Sequence, residues 1–263
     1  MTILGTDNDR RNIATLAHSK GRVGLVLMIA FTLALGFALN QSGVVAQAAP
    51  PAATAPTLGA AAGFTVLAGT AVTCTDSSVT GDVGIFPGSA YAPVRCTVTG
   101  TVHAGDTAAE GAYNDFLSAY DGLEIVSCDA VLTGTLAGVT LAPGVYCFDA
   151  AATLTGQLTL NGPSNGIWIF KIGTSGTGAL TGTNFAEVMT GGGQPCNVNW
   201  WVAEAATLTD SNFMGTVLAG AAITMRCRRM NAALRIAGAV YIESWGDGVS
   251  QSRPTGSRRA GSR

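Results

Sequence analysis

Four times in this chain a leucine is followed by threonine and then by glycine or aspartate. The copies are Leu132-Thr133-Gly134, Leu154-Thr155-Gly156, Leu180-Thr181-Gly182 and Leu208-Thr209-Asp210, at intervals of 22, 26 and 28 residues. A unit of that length cannot bury its own apolar face. It buries it against the next copy, so the recurrence points to a β-solenoid. Along a strand, successive side chains point to opposite faces. With each leucine turned inward, the outward pairs are Thr133 and Thr135, Thr155 and Gln157, Thr181 and Thr183, and Thr209 and Ser211. Stacked coils would then present a flat array of short, uncharged polar side chains.

The remaining organisation is simple. Arg10, Arg11, Lys20 and Arg22 precede an apolar run, Val23 to Leu39, and Ala46-Gln47-Ala48 follows as a small-x-small cleavage site. These are the three parts of a secretory signal peptide, assigned to residues 1–48, with an uncleaved membrane anchor as the rival reading. An Ala/Pro linker (49–57) leads into one domain, 58–250, and an Arg-rich tail (251–263) is expected to be disordered. Charged residues make up 11% of the chain, against about 25% in an average globular protein. From Leu58 to Ser250 six basic residues face fourteen acidic ones, which argues against nucleic acid as a partner, since phosphate binding needs clustered Lys and Arg. All six cysteines follow the leader, so disulfides and a secreted, extracellular location are expected. Pairing of sequential neighbours, Cys74 with Cys96 and Cys128 with Cys147, is expected because each separation is about one coil. No Cys-x-x-Cys is present, and His103 is the sole histidine after the leader, so a metal site is not expected.

Phe64 to Thr75, Ser78 to Phe86 and Val94 to Val102 read as strands, the second closed by Pro87-Gly88. The period then changes. Ala109, Tyr113, Phe116 and Tyr120 recur at helical spacing, with Asp106 or Thr107 as cap and Asp121-Gly122 as stop. Strands resume from Val131. Ile167-Trp168-Ile169-Phe170 is apolar throughout and should be covered on both faces, the helix stripe being the candidate cover. From Arg226 to Arg235 arginine replaces threonine, which reads as a charged end cap that keeps the last coil from pairing with another molecule.

Catalytic patterns are weak. Gly162-Pro163-Ser164-Asn165-Gly166 matches the G-x-S-x-G spacing of a hydrolase elbow, but that chemistry needs a helix after the serine and a histidine base. It reads instead as a turn between strands. The Gly173–Gly178 and Gly191–Gly193 stretches lack the following helix and lysine of a phosphate loop. Asp76 and Asp82 sit in no calcium-type loop. No enzyme activity and no cofactor are expected.

Several segments, in order from Leu58 to Thr224, resemble the secreted microbial ice-binding protein family. They are LGAAAGFTVLAG (58–69), GDVGIFPG (81–88), Gly100-Thr101-Val102-His103-Ala104, LAPGVY (141–146), IWIFKIG (167–173), CNVNWW (196–201) and GTVLAGAAIT (215–224). The resemblance implies a mostly β fold: a right-handed, discontinuous β-solenoid of triangular section with one long α-helix packed alongside, the N-terminal coil finishing beside later coils. It also implies a Thr-(Ala/Gly)-x-(Thr/Asn) motif on one flat face. Thr181-Gly182-Thr183-Asn184 matches it, and Thr209-Asp210-Ser211-Asn212 matches except at Asp210, which adds Asn184 and Asn212 to the candidate residues. The next copy is expected at Cys227-Arg228-Arg229-Met230, where arginines would interrupt the face. The implied partner is the surface of an ice crystal, met by a monomer. The competing reading is an adhesive solenoid that binds cell-surface glycans through Trp200, Trp201 or Trp245.

Overall fold

The apolar tetrad Ile167–Phe170 shows how a coil is assembled. In the computed structural model, residues 53–226, 229–236, 238–243 and 249–250 are described, those of 229–236 and 249–250 by backbone alone. The leader, the tail and Trp245 lie outside them. Trp168 and Phe170 point into the solenoid, while Ile169 points the other way, onto the helix. Both faces of this strand are therefore covered, as its unbroken apolar run requires.

The strands form three parallel stacks. The stack beneath the helix runs in space from Ala130–Val131 through Gly144–Phe148, Trp168–Ile172, Val198–Val202 and the second halves of Asn212–Ala219 and Arg229–Ile236. It then passes to Phe64–Ala68, Asp82–Ile85 and Val102–Ala104. The N-terminal coils thus stack on the C-terminal ones: Val66 pairs with Leu234, and Val72 with Val240. The expected end cap fails for this reason. Ile223–Arg226 and Arg229–Ile236 lie inside the stack and are paired on both sides.

Corners also cut strands that a linear reading joins. Phe64 to Thr75 is two strands, Phe64–Ala68 and Ala71–Thr75, and Ser78 to Phe86 divides at Gly81 into Ser78–Thr80 and Asp82–Ile85. Gly81 has φ 119°, open to glycine and strained for other residues.

The helix, α1, spans Thr107–Glu124. Asp106, and not Thr107, is its cap: the carboxylate accepts from Ala109 N–H at 2.9 Å and meets His103 Nδ1 at 2.7 Å. These two partners, the backbone N–H first, hold the Asp106 carboxyl below the usual carboxylate range. Ala109, Ala112, Phe116, Ala119 and Leu123 are buried, and the last four pack with Leu67, Val145, Ile169, Trp201 and Leu218. The helix runs through Asp121-Gly122 because its end is held from outside. Lys171 Nζ donates to the carbonyls of Glu124 (2.7 Å) and Val126 (2.6 Å), placing a cation where the last carbonyls lack partners. The price is desolvation, which lowers the Lys171 pKa.

Two disulfides join neighbouring coils, Cys74–Cys96 and Cys128–Cys147, with Cα–Cα distances of 5.7 and 5.8 Å. Cys196 is exposed and unbridged, and Cys227 lies outside the described residues. Inside the stack, Phe170 and Trp200 sit in register on adjacent strands and stack with centroids 4.0 Å apart.

Candidate functional site

The strand register assembles one face from threonines. Reading across adjacent coils, Thr153, Thr181, Thr207 and Thr224 align in one column, followed by Tyr241, Thr73 and Ala92. Two residues further along each strand, Thr183, Thr209, Arg226, Glu243, Thr75 and Val94 align in a second. Thr155, two residues after Thr153, extends that column next to Thr183. The residues between and before them are buried: Ala152 and Leu154, Leu180 and Gly182, Ala206 and Leu208, Ile223 and Met225. Alternation thus turns every threonine of the two columns outward, exposed or half-exposed. Gly182 serves the core, since a Cβ there would stand 2.7 Å from Leu208 Cδ2.

Among the described residues, six rungs end at a corner in the left-handed region. The corner residues are Asp76 (φ 49°), Arg95 (50°), Leu136 (59°), Gly156 (70°), Asn184 (48°) and Asp210 (49°). Gly, Asn and Asp reach this region at least cost, so the unit is written x-Thr-x-Thr followed by one of them. Val72-Thr73-Cys74-Thr75-Asp76, Ala152-Thr153-Leu154-Thr155-Gly156, Leu180-Thr181-Gly182-Thr183-Asn184 and Ala206-Thr207-Leu208-Thr209-Asp210 all carry it.

This frame sorts the candidate residues. Thr155, Thr181, Thr183 and Thr209 lie on the face. Thr135 adjoins it, its carbonyl accepting from Thr155 N–H at 3.2 Å. Thr133 is exposed at the rim of a groove of about 440 Å³, lined also by Phe148, Asp149 and Thr153, which parts it from the next rung. Asn184 occupies a corner.

Three expectations are corrected. Ser211 points inward, 2% exposed, where it donates to the carbonyl of Thr209 (2.9 Å) and accepts from Phe185 N–H (3.3 Å). Gln157 and Asn212 both align with Ala186, beyond the corner on the third stack, which holds the second halves of Ala152–Asn161 and Leu180–Thr190 and the first halves of Asn212–Ala219 and Arg229–Ile236. The cause is shared: a left-handed residue at Gly156 or Asp210 turns the chain onto another side and resets the alternation. The further copy of the repeat is Ile223-Thr224-Met225-Arg226, immediately before Cys227–Met230 in sequence. Thr153, Thr207 and Thr224 were missed because the Leu-Thr-Gly frame aligns Thr155 with Thr181, whereas Thr155 is a neighbour of Thr183; Thr73 and Thr75 fall in line with the columns only through the pairing of Ala71–Thr75 with Val240–Glu243.

Charge enters the face at one place. Arg226 Nε and Glu243 Oε2 pair at 2.7 Å on adjacent rungs of the second column. At a corner beyond it, Arg95 pairs with Asp76 through Nη2–Oδ2 at 2.6 Å, and the guanidinium holds the Asp76 carboxyl low. Beneath the third stack Glu187 is wholly buried, in register with Leu158, and accepts from Met214 N–H. Burial raises its pKa to about 8; the Met214 N–H and the nearby Trp200 indole oppose that rise. The indole N–H lies outside hydrogen-bonding geometry, and Oε1 has no partner.

The other motifs resolve as structure. Pro163–Gly166 is a turn closed by Gly166 N–H to the Pro163 carbonyl at 2.9 Å, and the next element is the strand Trp168–Ile172. Asp82 accepts from Thr101 N–H at 2.7 Å. Among the described residues no three His, Cys, Asp or Glu side chains converge as metal ligands would. Trp200 and Trp201 are 0% and 4% exposed, so neither offers a ring to a glycan; both faces of their strand are covered.

Comparison with known proteins agrees with this geometry. Residues 66–243 match the ice-binding-like family. An ice-binding protein of Nostoc sp. is 40% identical over 187 residues, covering 68% of this chain and 67% of that one. An ice-binding protein of Flavobacterium frigoris is 31% identical over 191 residues, covering 64% and 67%. The crystal structure of an ice binding protein from an Antarctic biological consortium superposes with a TM-score of 0.70 at 29% identity, covering 77% of this chain and 94% of that one. By profile, sequence and three-dimensional arrangement alike, the chain belongs to the ice-binding-like family.

Proposed function

We propose that this protein is exported and, as a monomer, adsorbs to ice through the face that carries Thr135, Thr153, Thr155, Thr181, Thr183, Thr207, Thr209 and Thr224. The observation that carries the reading is the two-column register of these threonines. Outward residues on one strand lie about 6.6 Å apart and neighbouring coils about 4.8 Å apart, a regular grid of methyls and hydroxyls. Methyls order the water over them and hydroxyls anchor it, so a lattice of water can form on the face before contact and merge with the crystal. Each contact is weak. A face already held rigid by coil packing, disulfides and the helix sums them without paying ordering entropy. Adsorbed molecules pin the ice front, and growth and recrystallisation slow. The family is non-enzymatic, and nothing in the mechanism requires a cofactor. The two disulfides suit an oxidising, extracellular setting.

The test is partitioning into a slowly growing ice hemisphere, together with thermal hysteresis, for the wild type and Thr181→Tyr. Wild type should enter the ice. The variant should lose ice-growth inhibition with its circular dichroism unchanged. Exclusion of the wild type from ice, or a fully active variant, would refute the assignment.

A further inference from the structure

Read along the stack, the threonine face is not continuous. After Thr224 the first column holds Tyr241, 46% exposed, and after Thr209 the second holds Arg226 and Glu243, with side chains 56% and 44% exposed. Only beyond these does a single further rung, Thr73 with Thr75, appear, and the next rung carries Ala92, Pro93 and Val94. We infer that the ice contact ends at Thr224, and that Tyr241 and the Arg226–Glu243 pair are the residues that set its length. This rests on the ice-binding assignment above and deepens it.

The physical reasons are steric and electrostatic. A phenol ring stands further from the sheet than a threonine, so a flat crystal face resting on Thr207 and Thr224 cannot also rest on Thr73. An exposed ion pair holds its water radially, in competition with a lattice. Pressing it against a neutral solid strips that hydration without supplying a new partner. The isolated rung of Thr73 and Thr75 therefore lies across a barrier from the array that does the binding. In length, the uninterrupted part from Thr153 to Thr224 covers three coil spacings, about 14 Å, whereas an unbroken column to Thr73 would cover five, about 24 Å. Backbone and register for the longer array are already present; three side chains interrupt it.

The experiment compares full-length variants by thermal hysteresis at matched concentration and by ice partitioning. Thr207→Tyr, inside the array, should reduce hysteresis at least about fivefold, while Thr73→Tyr, beyond the break, should stay within about 1.5-fold of wild type, because preorganised contacts count only where ice reaches them. The combined variant Arg226→Thr, Tyr241→Thr, Glu243→Thr should raise hysteresis about twofold or more, in keeping with the longer array. Equal losses for Thr73→Tyr and Thr207→Tyr would overturn the inference, as would a combined variant with wild-type circular dichroism and no gain. Should the combined variant not fold, the tyrosine pair decides alone. A wild type that ice excludes would overturn the functional assignment itself, a result separable from either of these.

Discussion

Glu187 makes the stability of this solenoid depend on pH in a range where ordinary carboxylates do not titrate. The side chain is fully buried, receives one hydrogen bond from Met214 N–H, and has no cationic partner. Desolvation moves its pKa from 4.5 in the open chain to about 8 in the fold. The folded state therefore holds a proton that the unfolded state has released between these values, and stability falls as pH rises through that window. It is highest, as far as this group is concerned, below pH 4.5, and it levels off above about pH 8. At ~1.4 kcal/mol per pH unit, the whole interval is worth several kcal/mol, on the order of 3–5. For a domain of this size that corresponds to a fall in melting temperature of roughly 10 °C. Thermal unfolding followed by circular dichroism from pH 5 to pH 9 measures it directly. Glu187→Gln should match wild type near pH 5, because the amide mimics the protonated acid, and should be the more stable protein at pH 8.5. A wild type with a level profile, or a Gln variant that keeps the full slope, would refute the reasoning.

Two further outcomes concern how the helix and the coils are tied together. Lys171→Met leaves the Glu124 and Val126 carbonyls without their donor and removes the cation at the helix end, so denaturant unfolding should show a loss of about 2–3 kcal/mol, with hydrogen exchange rising first in the last turn of the helix. Cys128→Ser with Cys147→Ser opens a bridge that spans 19 positions of sequence, and should cost about 3 kcal/mol of stability at unchanged far-ultraviolet circular dichroism. A loss under about 1 kcal/mol would show that packing alone fixes that coil.

Much of this arrangement was legible before the structure. The repeat spacing announced stacked coils, and the switch to helical period located the helix to within a few residues. The apolar tetrad at Ile167 named the strand it covers, and both disulfides follow from one-coil spacing. The site was half legible. Alternation sets the outward residues correctly within a rung but says nothing about which rungs adjoin, since insertions at corners shift the frame. Leu154-Thr155-Gly156 and Leu180-Thr181-Gly182 look like equivalent copies, yet they differ by one alternation step. The left-handed corner was the missing clue: counting back from Gly156, Asn184, Asp210 and Asp76 finds the face threonines without coordinates. Ser211 was misplaced for the same reason, lying just past a corner. The return of the N-terminal coil to the side of later coils is implied by the family resemblance and by no local pattern. Nothing local in Val240 to Glu243 says that Val72 to Thr75 will lie beside it.

That pairing carries a consequence for how the chain comes to be folded. The segment from Phe64 to Ala104 leaves any synthesis or export channel well before the edge it must add to, Arg229–Ile236 and Val240–Glu243. The N-terminal coils can pair with one another, but the edge formed by Phe64–Ala68 and Ala71–Thr75 waits for its partner strands until these have emerged. Two separately grown stacks must therefore meet at that edge, and a chain stalled shortly before Arg229 leaves its first coils without the strands that join them to the rest.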